Sequence, residues 1–231
     1  MPLFSSLLSI STQHETSFDT YVQDSSPTTN FHSQSNLKCN NLISRGGNQA
    51  QRIILAFDLS DLSNRTITSA NLTMKTASGF GIGSSNIPMN IHKLTTPSIV
   101  FDEVTWNLAT SASSSAFDGG NGAFDAGITA VINGNTSPNV VCTSADLTDV
   151  LSGSEGSSSV YLLIKTDESV GTFAKNFIGH DEDGISGIAD LPTLSITSTI
   201  DHRNVFDKYE MTKFMNKSVG IKGKASVPSL G

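Results

Sequence analysis

The chain has 231 residues, of which only 15% are charged and 19 are glycine, in a sequence crowded with Ser, Thr and Asn. That composition suits many short strands joined by polar turns and excludes a protein built of long helices, while the length allows one large all-β domain with a real core. The formal net charge of −7 excludes general nucleic-acid binding, because neutralising phosphates requires a surplus of Lys and Arg.

The N-terminal stretch MPLFSSLLSISTQHE (1–15) has no basic start, and its short apolar run is broken by serines. It reads as an N-terminal arm, neither a signal peptide nor a membrane span, so the chain is expected to be made and kept soluble without export. TYVQ (20–23), QRIILAFDL (51–59), SANLTMKTA (69–77) and MNIHKL (89–94) follow with the alternation of strands that bury one face. VFDEVTWN (100–107) holds the one tryptophan and reads as a turn leading into a strand, VTW. SADLTDVLSG (144–153) is the one helix-like piece of the domain, with Ser144 placed to cap a turn or two and Gly153 to end them. VYLLIKT (160–166) and TLSITST (193–199) complete the strands. Turn-forming clusters separate them: SSPTTN, SRGGN, SGFGIGSSN, FDGGNG, INGNTSPN and HDEDGISG. Short strands with such punctuation predict an antiparallel β-sandwich or jelly roll over residues 16–200.

After Ile200 the pattern changes. Residues 201–231 carry six basic against three acidic side chains, a tail of +3 on a remainder of −10. Val205, Phe206, Tyr209 and Phe214 lie near helical spacing, followed by a Gly/Ser/Lys-rich end. The tail has too little apolar content to build a core of its own. It is expected to dock on a partner through Phe206, Tyr209, Lys213, Phe214, Lys217, Ile221, Lys222 and Lys224, in a salt-dependent way.

Candidate chemistry is sparse. Asp102 and Glu103 precede Trp106, but neighbouring residues on a strand point to opposite faces, whereas a glycosidase pair must face across a cleft of about 5–10 Å. No catalytic residue is assigned. Asp181 and Asp183 in HDEDG, with Asp19 from the first strand of the domain, form a weak Ca²⁺ candidate; calcium wants six to eight oxygens, and a solvated acidic turn accounts for the pattern more simply. The five histidines show no metal-ligand spacing, and the two cysteines, Cys39 and Cys142, are too sparse to make a disulfide framework. Phe80, Phe117 and Phe124 fall in Gly-rich loops and are the expected exposed aromatics for a glycan or a protein partner.

Several pieces agree in order with a known family: FDTYVQDSSPTTNF (18–31), RIILAFDLSDL (52–62), TITSANLTMKT (66–76), NIHKLTTPSIVFDEVTWN (90–107), DLTDVL (146–151), and FIGHDEDG followed by LPTLSIT (177–184, 191–197). The chain resembles the DNRLRE-type β-sandwich domains, carbohydrate-binding-module-like jelly rolls found in bacterial surface proteins and in some phage structural proteins. The resemblance implies the sandwich fold, with Trp106 packed in or beside its core. It departs from the family before the last strand, where His180, Asp181, Glu182 and Asp183 stand in place of a basic-acidic pair.

With the basic tail and the missing export signal, the first functional expectation is a virion structural protein. Such a phage capsid decoration (cement) protein, or tail or collar component, would assemble in the host cytoplasm with other capsid proteins as a homo-oligomer, a trimer being a reasonable guess. The alternative is a carbohydrate-binding module for host or environmental glycans.

Overall fold

All six alternating segments are strands in the computed structural model, which describes residues 8–34, 36–44, 47–78, 82, 86–95, 98–112, 117–121, 123–135, 137–169, 172–179 and 190–200. In chain order the elements are β1 (Leu8–Glu15), β2 (Phe18–Gln23), β3 (Asn36–Ser44), β4 (Gly47–Phe57), β5 (Thr66–Lys75), β6 (Ile87–Lys93), β7 (Ala130–Gly134), β8 (Val141–Thr143), a single helical turn α1 (Thr148–Leu151), β9 (Val160–Lys165), β10 (Phe173–Ile178) and β11 (Thr193–Ile200). They form two antiparallel sheets. One runs β1-β11-β5-β8 and the other β10-β3-β4-β9-β6-β7, with β2 sharing an edge of β4 with β3.

The pairings are nested: β1 with β11, β4 with β9, β5 with β8, β6 with β7. This is one long antiparallel hairpin rolled up, so that successive pairs fall alternately in the first and second sheet. The fold is a jelly-roll-like all-β sandwich. β2, β3 and β10 are additions that widen the second sheet.

Alternation in β4 explains why its sequence is a continuous apolar run. Ile53, Leu55 and Phe57 point between the sheets, where they meet Leu72 and Met74 of β5, Leu162 and Ile164 of β9, and Leu194 and Ile196 of β11. Ala50, Ile54 and Ala56 point the other way, into a second core under the chain between β6 and β7. A strand buried on both faces has no polar side to show.

Three expectations are corrected. Residues 8–15, read as part of an arm, are a full strand of the sandwich, with Leu8 opposite Ile200 and Glu15 opposite Thr193. VTW is not a strand: residues 101–103 form a turn, closed by Val104 N–H donating to Val100 O at 2.8 Å, and Trp106 lies in a bend. Ser144 does not cap the helix. Its hydroxyl instead accepts from the Leu72 amide at 2.9 Å, and Asp146 Oδ1 accepts from the Thr148 amide at 3.0 Å as α1 starts. Gly153, at φ 72°, follows the helix as expected.

Candidate functional site

The loop over the second core positions a groove at its edge. Sheet residues Ile54 and Leu163 leave an apolar outer face that water would contact, and Ile99, Phe101, Val104, Ala109 and Phe117 of the loop cover it. Trp106, 9% exposed, sits among them. Arg52 of β4 fastens the cover. It is 3% exposed and forms a bidentate pair with Glu168, Nε to Oε1 at 2.6 Å and Nη2 to Oε2 at 2.8 Å. Its Nη1 donates to the carbonyls of Asp118 and Gly119, and its guanidinium lies 4.4 Å from the Trp106 ring centroid. The indole N–H donates to Asp118 Oδ1 at 3.2 Å, so Trp106 is spent on packing.

At the edge of this cover, where β1 turns into β2, lies an open groove of about 590 Å³. Its floor is aromatic. Phe18 stacks on Phe101 with centroids 5.6 Å apart, Tyr161 lies 6.2 Å from Phe101, and His32 approaches Phe101 edge-on at 6.3 Å. Phe18 is 54% exposed although it opens a strand, so one ring is offered to solvent. The rim is polar: Ser17, Asp58, Asp102, Ser158 and Ser159 are all exposed. Among the described residues no Lys or Arg lines the groove. A smaller hollow of about 250 Å³ adjoins it through Ser159 and Tyr161 and contains Lys93, whose ammonium donates to Ser152 O at 2.7 Å.

The two acids of VFDEVTWN separate as their adjacency implied. Asp102 faces the groove, while Glu103 Oε2 turns back to accept from Thr110 Oγ1 at 2.9 Å and the Ser111 amide at 2.8 Å. Those bonds hold the Glu103 carboxyl below its ordinary range. Asp58 is likewise held low by the hydroxyl and amide of Ser60, with a smaller contribution from the charge of His14. Neither Asp58 nor Asp102 belongs to an ion pair among the described residues.

Of the aromatics expected to be exposed, Phe117 is 4% exposed and packs in the second core, because its loop folds back over the sheet. Phe124 is half-buried, stacked on His92 at 4.2 Å between centroids, with Lys165 Nζ 5.7 Å from its ring. Phe80 lies outside the described residues, as do Asp181, Asp183 and the tail residues Phe206, Tyr209, Lys213, Phe214, Lys217, Ile221, Lys222 and Lys224. Asp19 is buried on β2; a Cβ added at Gly179, the residue before HDEDG, would stand 3.2 Å from its Oδ1. Among the described residues no cluster of three His, Cys, Asp or Glu is placed to hold a metal, and no helix is long and apolar enough to cross a membrane. Cys39 and Cys142 are buried free thiols.

Sequence reasoning missed Phe18 and Phe101 as a site. The available signal was Phe18 itself, an aromatic at the first position of FDTYVQ in a strand whose neighbours Asp19 to Val22 are buried. The chain matches no protein-family model and no curated protein.

Proposed function

We propose that the protein is a non-enzymatic structural module of a virus particle, a phage capsid decoration or cement protein or a related tail or collar component, that docks through its C-terminal tail. The observation that carries this reading is the polarity of β11. Its first residue, Thr193, pairs with Glu15, two residues before the groove residue Ser17, and its last, Ile200, from which the tail leaves, pairs with Leu8. Eight extended residues at about 3.3 Å each separate the two ends by about 23 Å. The tail therefore starts at the end of β11 away from the groove, which supports docking on a capsid protein with the groove left accessible. The charge distribution supports the same arrangement, a +3 tail on a −10 domain, with neighbouring copies of the domain as further acidic partners.

The reading is tested on purified particles from the source culture. The chain should be present at fixed stoichiometry by mass spectrometry, and a chain ending at Ile200 should fold yet fail to incorporate. Absence from particles, or incorporation unchanged by the truncation, sinks it.

The groove favours a second, compatible reading: a glycan-binding module, with host or environmental glycans as ligands. A hydrolase would need a carboxylic acid whose pKa is raised so that it carries a proton at neutral pH. Asp58 is held in the opposite direction.

A further inference from the structure

The groove's lining selects among ligands by what it lacks. It offers one exposed aromatic face, Phe18, backed by Phe101, with the His32 and Tyr161 rings beside them, and its remaining polar groups among the described residues are the carboxylates of Asp58 and Asp102 and serine hydroxyls. With no Lys, Arg, Asn or Gln among the described lining residues, a peptide's carbonyls would find few donors beyond the hydroxyls and the His32 ring, and an acidic group would meet Asp58 and Asp102 with no Lys or Arg between them. The −10 charge of residues 1–200 adds to that repulsion. A ligand that suits the lining has an apolar face about the size of one ring, hydroxyl or ammonium donors around its perimeter, and no negative charge. A hexopyranose meets all three conditions. The volume of about 590 Å³ falls within the range of about 300–1,000 Å³ common for small-ligand clefts.

We infer that the groove binds a non-acidic pyranose, neutral or amino-substituted, whose C–H face lies on Phe18 and whose hydroxyl or ammonium donors reach Asp58 and Asp102. This rests on the glycan-binding reading and adds to it the sugar class and the residues that select it. Serine hydroxyls of Ser17, Ser158 and Ser159 supply the remaining polar contacts, in either hydrogen-bonding role. Tyr161, shared with the adjoining hollow, marks the direction in which a second sugar would extend.

The test is the full chain on a glycan array holding neutral, amino-bearing and acidic (sialylated, uronic and sulfated) glycans. Retained glycans are then titrated against wild type, Phe18→Ala and Asp102→Asn. Retention confined to neutral or amino sugars is expected, with Phe18→Ala weakening binding about tenfold. Asp102→Asn should weaken amino sugars more than neutral ones and make the amino-sugar affinity less salt-dependent. Because Phe18 is exposed, the fluorescence of Trp106 and the thermal midpoint serve to confirm that both variants keep the fold. Acidic glycans retained as well as the others would overturn the charge selection while leaving glycan binding in place. Non-acidic glycans bound equally well by folded Phe18→Ala would overturn the groove as their site. Retention of no glycan at all would overturn both the inference and the glycan reading beneath it.

Discussion

At Arg52 a full positive charge is buried, and all three guanidinium nitrogens donate: Nε and Nη2 to Glu168, Nη1 to the carbonyls of Asp118 and Gly119. Replacing it by Met would keep much of the volume and the contact with Trp106. It would also strand the Glu168 carboxylate and two loop carbonyls. Breaking one side of a buried pair costs about 3–5 kcal/mol; since the Glu168 side chain is 24% exposed and can recruit water, Arg52→Met should cost about 3 kcal/mol. Urea unfolding measures it, and the single tryptophan, lying against the guanidinium, reports whether the loop lifts first. A loss below about 1 kcal/mol would mean that the pair contributes little beyond packing. Removing Phe18 touches the exposed side of the same cover, so the two substitutions separate holding the loop from using the groove.

The loop that carries Trp106 is the element whose shape the groove depends on, and it is pinned at a close approach. Asp118, Gly119 and Gly120 have φ of 47°, 60° and 86°, three successive left-handed residues that turn the chain under the indole. A Cβ on Gly119 would lie 2.8 Å from Trp106 Cε3 and Cζ3. Gly119→Ala therefore combines backbone strain of about 1–2 kcal/mol with overpacking of about 1–3 kcal/mol, and should shift Trp106 emission. Gly153→Ala, at φ 72° with nothing within 4 Å, carries the backbone strain alone and serves as the comparison. Equal thermal shifts in the two variants would show that the indole yields freely.

Such a contact leaves no periodic mark in a sequence, and that explains which elements were legible. β2, β4, β5, β6, β9 and β11 alternate or run apolar because the two cores demand it, and their segments stood out. β3 and β10 did not: NLKCNNLIS and FAKNFI bury Asn40, Asn41 and Lys175, polar residues at positions where alternation looks for apolar ones. β1, LSISTQHE, is an edge strand with no fully buried residue, so its polar sequence reads as an arm. VFDEVTWN kept its core tryptophan but lost its strand, since a turn places Phe101 inward and Asp102 outward. The groove joins Phe18 to Phe101 across 83 residues of chain, a meeting that only the folded loop arranges.

Over the whole molecule, the nested pairing makes the two ends of the described chain unequal in what they hold. β1 is the outermost half of the rolled hairpin, paired with β11 over eight residues, and His14 Nδ1 on it donates to Asp58 O at 3.1 Å beside the groove. Removing residues 1–15 would leave β11 as an open edge, exposing one side of the strand that carries Leu194 and Ile196. At about 0.5–1 kcal/mol net per lost ladder bond, the cost should be about 4 kcal/mol, enough to unfold a marginal domain or to lower its urea midpoint sharply. Removing residues 201–231 leaves every described strand pairing intact, including the register of β1 with β11 from Thr193 to Ile200, and should change unfolding free energy by less than about 1 kcal/mol. Urea unfolding of the two truncations, with Trp106 as the probe, decides the matter. Tolerance of the first with collapse of the second would mean that the sandwich is closed by the tail instead of by β1, and would remove the argument that the tail is free to dock elsewhere.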